Sequence, residues 1–263
     1  MTLPEWLHRL HTRLRELLPL LGLDQARCVH CYAPVDLGLD DAPRLGVGGA
    51  SAPLCPLCVP QLPPYDGPRC PVCGEPGPYA SASLCPQCHG EEQGWDRVAY
   101  YGLYEGWLRD SLLRFKFDGE LAQGPFLAAC LLQASQCLPR PDVIQAIPQH
   151  KKRLRKRGFN QAHEVAKALG KLAHVPVEAF LLQRVQEGPL QHTLSAKERR
   201  TSVTRAFAAS PDVRGKAIWL VDDIMTTGAT LSAAAHTLKE AGAASVHCLV
   251  VARTPRDGDD SPA

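Results

Sequence analysis

Apolar and polar positions follow two different rules along this chain of 263 residues. After residue 92, short apolar runs alternate with stretches in which apolar residues recur every three or four positions. That is the pattern of strands and amphipathic helices taking turns in an α/β domain. There, RVAYYGLYEGWLRDSLLRFKFDGE predicts two short strands around Gly102 and then a helix over residues 107–117, with a second helix across residues 125–137. DVIQAIP reads as a buried strand, EVAKALGKLA as a helix and VHCLVVA as a further strand. Before residue 93 this periodicity is lost. The first 23 residues, MTLPEWLHRLHTRLRELLPLLGL, set Arg9, Arg13 and Arg15 among apolar residues and predict a short amphipathic helix. From there to residue 88 the chain is rich in Cys and Pro and poor in large apolar side chains.

An apolar content of 45% supports a packed core and excludes a fully disordered chain. No uninterrupted apolar stretch approaches the roughly 18–20 residues that cross a bilayer as a helix. The N-terminal segment lacks the separate basic and apolar regions of a secretory signal. A cytoplasmic protein without a membrane span is therefore expected. Lys and Arg number 29 against 27 acidic residues, giving a net charge of +2 and no global excess for nucleic acid. The balance is a cancellation, because residues 28–88 hold five acidic and two basic residues while residues 89–263 are net basic.

Eight of the 11 cysteines form four C-x-x-C pairs: Cys28 with Cys31, Cys55 with Cys58, Cys70 with Cys73, and Cys85 with Cys88. Each pair can put two sulfurs on one tetrahedral ion, and two pairs complete a four-thiolate zinc site. Disulfides are the other use of such spacing, but they belong to secreted domains. Two structural Zn2+ sites are expected, one on Cys28, Cys31, Cys55 and Cys58 and one on Cys70, Cys73, Cys85 and Cys88. These would be two successive ribbons, with interleaved pairing as the alternative. Metal should largely fold this segment, which is too apolar-poor to fold alone. His30 and His89 flank the pairs and read as surface residues, while Cys130, Cys137 and Cys248 read as core.

The segment GKAIWLVDDIMTTGATLSAAAHTLKEAG carries the most chemistry. Residues 218–221 predict a buried parallel strand that ends at Asp222 and Asp223. Residues 226–230 open a helix running to Ala241, with Gly242 as its C-terminal cap. The N–H groups of that helix start make an anion cradle, with Gly228 allowing close approach and Thr226, Thr227 and Thr230 supplying hydroxyls. Two carboxylates beside a phosphate cradle repel the ligand unless it offers hydroxyl donors or arrives with a divalent cation. A ribose 5-phosphate offers the hydroxyls. No G-x-x-x-x-G-K or G-x-G-x-x-G is present, so P-loop and dinucleotide folds lose their fingerprints.

VDDIMTTGAT resembles the 5-phosphoribosyl 1-pyrophosphate (PRPP) binding motif of type I phosphoribosyltransferases. Four cysteine knuckles ahead of such a domain resemble the ComF family, which includes the GntX-like proteins. Two further stretches are similar to that family: AIPQHKKRLRKRGFNQA, ending in Arg157, Gly158, Phe159, Asn160 and Gln161, and QHTLSAKERRTSVTRAFA, with Gln191, Leu194, Glu198, Arg199, Arg200, Ala206 and Phe207. Family members often have Asn where this chain has Ser202.

The resemblance covers residues 28–253 and implies an α/β, type I phosphoribosyltransferase fold over residues 93–254: a central, mainly parallel sheet flanked by helices. It is preceded by a small zinc-ribbon module of four-cysteine sites over residues 28–92, with an amphipathic helix over 1–27 and a disordered tail over 255–263. PRPP with Mg2+ is the implied ligand. Asp222 and Asp223 are then the catalytic pair at the ribose hydroxyls, and Thr226, Thr227, Gly228, Ala229 and Thr230 hold the 5-phosphate. His150, Lys151, Lys152, Arg153 and Arg157 supply a basic pyrophosphate loop. Lys197, Arg199 and Arg200 ride on a mobile loop that closes over the site. A base-recognising hood is expected from residues 95–141, and no residue can be named as a base for the acceptor. The family also implies a role in natural competence, moving single-stranded DNA inward with a helicase-like partner. Six basic residues within 151–157 suit a nucleic-acid backbone as well. The alternative reading is a non-catalytic single-stranded DNA-binding or partner-docking protein that uses the fold as a nucleotide sensor.

Overall fold

A five-stranded, wholly parallel sheet organises the chain in this computed structural model, which describes residues 25–36, 53–79, 83–90, 93–150, 154–155, 158–185 and 206–256. In chain order, a short antiparallel pair, β1 (Gln25–Arg27) and β2 (Pro34–Asp36), precedes a one-turn helix α1 (Pro86–Gly90). The main domain then runs β3 (Arg97–Leu103), α2 (Gly106–Leu113), α3 (Gln123–Ala134), β4 (Val143–Ala146), α4 (Gln161–Ala173) and β5 (Val177–Glu178). It continues through β6 (Leu182–Arg184), β7 (Phe207–Ala209), β8 (Ala217–Met225), α5 (Ala229–Glu240) and β9 (Ser245–Arg253). The sheet order is β3-β9-β8-β4-β5, and β6 and β7 form a separate antiparallel pair.

The apolar run of β8 explains its central place, because a strand covered on both faces needs hydrophobic residues at every position. Trp219 and Val221 face α3 and α4, packing with Phe126, Leu127, Val165 and Leu169. Ile218 and Leu220 face α5, packing with Leu231, Ala234 and Leu238. The cysteine-rich segment divides between these same two layers. Cys28, Cys55 and Cys58 are buried on the α3 side, and Cys70, Cys73 and Cys85 on the α5 side. The chain passes from one face to the other along edge strand β3, where Tyr65 N donates to Tyr101 O at 2.7 Å and Val98 N to Val72 O at 3.0 Å. These bonds occupy part of the sheet edge that would otherwise stay open. No helix among the described residues is long and apolar enough to cross a membrane.

Several local expectations are corrected. Residues 97–103 form one strand rather than two, since Gly102 stays in the ladder opposite Ala252. Gly102 lies close under Leu108, since a Cβ there would meet Leu108 Cδ2 at 2.9 Å and displace that side chain's end. The first helix stops at Leu113 and continues as a π turn over Arg114–Asp118, closed by Gly119 at φ +68°. β8 runs through both aspartates to Met225 because β9 stays paired with it, Asp222 opposite Val250 and Met225 opposite Arg253. Gln25–Arg27 form a strand, and the rest of the expected N-terminal helix lies outside the described residues. His30 is buried, its ring stacked on Trp107 at 3.7 Å, because the first knuckle docks on α2. Cys137 is exposed just past the end of α3, whereas Cys130 and Cys248 are buried. Residues 95–141 build the sheet edge and the layer over one face.

Where α4 meets β5 the packing leaves no space for a side chain. A Cβ at Gly170 would meet Val175 O at 2.8 Å and the Val177 side chain still closer. Gly170→Ala is expected to destabilise by about 1–3 kcal/mol through overpacking, read as a lower urea midpoint with an unchanged m-value.

Candidate functional site

The C-terminal ends of parallel strands are where open α/β sheets receive ligands, and β8 carries Asp222 and Asp223 there. Successive side chains of a strand point to opposite faces, so the pair splits. Asp222 continues the α5 side of the strand. Asp223 continues the other side, where its Oδ2 lies 3.1 Å from Lys116 Nζ, both side chains mostly covered. Asp222 Oδ1 accepts from the N–H of Asp223 at 2.9 Å, and Asp223 Oδ1 from the N–H of Ile224 at 2.9 Å. Burial pushes the Asp222 carboxyl well above the ordinary carboxylate range and the neighbouring Asp223 charge adds to it, with Lys116 opposing.

Immediately beyond, the chain turns into α5 through Gly228, which caps the helix at φ +81°. Space demands glycine here as much as conformation does, since a Cβ would meet Met225 Cε at 2.5 Å and Trp95 Cη2 at 3.1 Å. Thr226 and Thr227 are exposed, and Thr227 Oγ1 accepts from Ala229 N at 3.4 Å. The turn encloses a small cavity of ≈ 50 Å³ lined by Asp222, Thr226, Thr227, Gly228, Ala229 and Thr230. The first N–H groups of a helix have no partner within it and carry its positive end. A phosphate-sized anion can therefore be held beside Asp222.

The basic segment leaves the sheet next to this point. Ala146 is the β4 partner of Val221, and Ile147 N donates to Val221 O at 2.8 Å, so His150 follows within a few residues. Leu154 N returns to His150 O at 3.0 Å, and Gly158 N to Leu154 O at 2.8 Å. Lys151, Lys152, Arg153, Lys156 and Arg157 lie outside the described residues. Lys197, Arg199 and Arg200 do too, although the ends of their loop are described: β6 and β7 pair antiparallel, and buried Gln145 Oε1 accepts from Leu182 N at 3.2 Å. Lys116 was not singled out from the sequence. The signal was there in RFKFDGE, a lysine between two phenylalanines just before a turn glycine. Phe115 meets the Phe159 edge at 6.0 Å, so the RGFNQ stretch braces the turn that presents Lys116.

The eight knuckle cysteines gather in two groups, Cys28, Cys31, Cys55 and Cys58, and Cys70, Cys73, Cys85 and Cys88. Within each group the sulfurs lie within 4.8 Å of one another. A tetrahedron with Zn–S near 2.3 Å has its sulfurs about 3.8 Å apart, so both donor sets suit zinc. All eight are free thiols, with Cys31 Sγ 3.6 Å from Cys55 Sγ and Cys73 Sγ 3.5 Å from Cys85 Sγ. In each group one thiol is poised to ionise. Burial alone would raise Cys28, but the backbone N–H groups of Cys31, Cys55 and His30 outweigh it and bring it down to about 6. Cys73 is brought down to about 5, chiefly by the S–H of Cys88. Burial opposes that shift, while the Glu75 N–H and the Arg253 charge support it.

A family model described as a phosphoribosyl transferase domain matches residues 154–262. Competence protein F of Haemophilus influenzae is 30% identical over 175 residues, which cover 63% of this chain and 76% of that protein. The chain belongs to the ComF family. Other ComF relatives include the DNA utilization protein YhgH of Salmonella typhi, 31% identical over 64% of this chain and 77% of that one. Competence protein ComFC of Bacillus subtilis is 34% identical over 57% of this chain and 62% of its own length. The parallel sheet, the matched domain and the two cysteine clusters together give this ComF protein a phosphoribosyltransferase fold with a zinc-ribbon-like module packed on its edge.

Elemental analysis of protein purified without chelator is expected to give two zinc ions per chain. Cys31→Ser and Cys88→Ser should each give one. Complete occupancy in either variant would refute the grouping.

Proposed function

We propose that this ComF protein binds PRPP together with Mg2+ at the end of β8. The single observation that carries the reading is an acidic pair followed, five residues after Asp223, by a left-handed glycine, Gly228, that caps a helix start. In this reading the N–H groups and hydroxyls of Thr226, Thr227, Gly228, Ala229 and Thr230 hold the 5-phosphate. Asp222 and Asp223 accept hydrogen bonds from the ribose 2- and 3-hydroxyls and offset positive charge developing at C1. Carboxylate and ligand oxygens are the hard donors Mg2+ prefers. The Asp222 and Asp223 carboxylates are the residues that would hold Mg2+, and the ion, when bound, would reduce the charge on the leaving group. His150, Lys151, Lys152, Arg153 and Arg157 stabilise the departing pyrophosphate, more strongly as charge develops. Lys197, Arg199 and Arg200 close over the site and exclude water. Lys116 is added to this set, because it pairs with Asp223 before ligand arrives.

The names of the ComF relatives support a place in competence and DNA utilization, with phosphoribosyl transfer to an acceptor as the enzymatic form of the activity. A cytoplasmic site of action with a helicase-like partner belongs to the same proposal. The density of Lys and Arg in residues 151–157 favours a second reading, in which the segment contacts single-stranded DNA. The phosphoribosyl site would then report nucleotide status.

Calorimetry with PRPP and Mg2+ tests the first reading. Asp222→Asn and Asp223→Asn are each expected to lose about 1.5–3 kcal/mol, roughly ten- to a hundredfold in Kd. No binding by the unmutated protein would overturn it. For the second, affinity for a single-stranded oligonucleotide should fall with rising salt, with a shallower slope once Lys151, Lys152 and Arg153 are all alanine. An unchanged slope would exclude this segment from DNA contact.

A further inference from the structure

Arg253 and Glu75 take no part in the chemistry proposed above, yet they form a buried ion pair between the second cysteine cluster and the phosphate loop. Arg253 ends β9, is 0% exposed, and donates to Glu75 Oε2 and, at 2.9 Å, to Met225 Sδ. Glu75 is itself buried and stands two residues beyond Cys73. Its carbonyl accepts from Cys70 N at 2.8 Å, so the knuckle turn fixes where its side chain starts. The turn also needs Gly74, at φ +68°, because a Cβ there would meet the Tyr100 ring at 2.8 Å. A buried carboxylate left without its partner is strongly destabilising, so Glu75 and Arg253 hold each other in place.

From Glu75 a second arginine reaches the loop. Glu75 Oε1 accepts from Arg256 N at 3.0 Å, and Arg256 Nε lies 3.5 Å from Glu75 Oε2. The Arg256 guanidinium then donates to Thr227 O at 3.2 Å. In a trans peptide the C=O and N–H point in opposite directions. Holding the Thr227 carbonyl therefore turns the Gly228 N–H away from Arg256 and sets the orientation of one of the loop's donors. One position before Thr226, Met225 is held as well, its carbonyl by Thr254 N at 2.9 Å and its sulfur by Arg253. Trp95, against which Gly228 packs, shares a buried cluster with Cys70, Cys73 and Cys85. The first cysteine cluster lies on the opposite face, and none of these contacts reaches it.

We infer that the second cysteine cluster positions the phosphate loop through Glu75 and Arg256, so that metal binding at Cys70, Cys73, Cys85 and Cys88 is transmitted as order in residues 226–230. Arg256 is the positioning residue that hands this order to the loop. The consequence for ligand affinity rests on the PRPP reading; the ordering of the loop does not.

Hydrogen exchange of the full-length, zinc-loaded protein tests this without any ligand. Arg256→Ala should keep both zinc ions and a single melting transition, while amides 226–231 exchange roughly tenfold faster, the scale of one lost charge-assisted hydrogen bond. Arg256→Lys should recover part of that protection. Cys88→Ser should reproduce the faster exchange, and Cys31→Ser should leave these amides at the unmutated rate. Unchanged exchange in Arg256→Ala, or equal acceleration in Cys31→Ser and Cys88→Ser, would overturn the coupling. In the same variants the Kd for PRPP with Mg2+ should rise in step with exchange. If the unmutated protein binds no PRPP while the exchange pattern holds, the substrate reading fails and the coupling stands.

Discussion

Two adjacent carboxylates at the end of a buried parallel strand impose the constraint on which the rest of the site depends. Neither can be charged there at no cost, because water is scarce and the two repel. The fold answers each one separately. Asp223 is met by Lys116 from the π turn, while Asp222 accepts from the Asp223 backbone N–H and is pushed toward its neutral form by burial and the neighbouring charge. A site with one carboxylate in an ion pair and one held by a backbone N–H is suited to a ligand that brings hydroxyl donors and positive charge. The positive end of α5 lies immediately beyond, where an anionic group of that same ligand fits.

The second constraint is the edge of the sheet. β3 would be an open edge strand without the cysteine-rich segment along it, and that segment packs one two-knuckle cysteine cluster into each layer beside the sheet. The zinc-ribbon module is thus a clamp around β3 rather than a neighbour on a linker, and six of its eight cysteines are buried against the same core that positions β8. This explains why a stretch so poor in large apolar residues has a defined place: Leu54, Leu62 and Tyr101 on one side and Trp95 and Tyr100 on the other complete its packing.

The strongly patterned parts of this arrangement were legible in the sequence. An apolar run, an acidic pair and a glycine before a helix specify β8, the site and α5 locally, and C-x-x-C spacing specifies which sulfurs can meet. Contacts made across the fold were not legible. Lys116 lies more than a hundred residues from Asp223, and nothing local marks it as a partner. His30 read as a surface residue because the stacking surface of Trp107 comes from α2. β8 outran its expected end because β9 pairs with it through the aspartates, and pairing does not show in one strand's composition. Glu75, Arg253 and Arg256 are single charges scattered along the chain, and they become a network only when the knuckle is folded against β9.

The most direct measurement of the central claim is the proton inventory of ligand binding. A carboxyl whose pKa is raised in the free protein holds a proton that it must give up to accept ribose hydroxyls, so binding releases protons and tightens as pH rises toward that raised value. Calorimetric titration of PRPP with Mg2+ from pH 5 to pH 7, in two buffers of different ionisation enthalpy, is predicted to show more proton release for the unmutated protein than for Asp222→Asn, the ligand's own phosphate protons being common to both. The same release in Asp222→Asn would contradict the account.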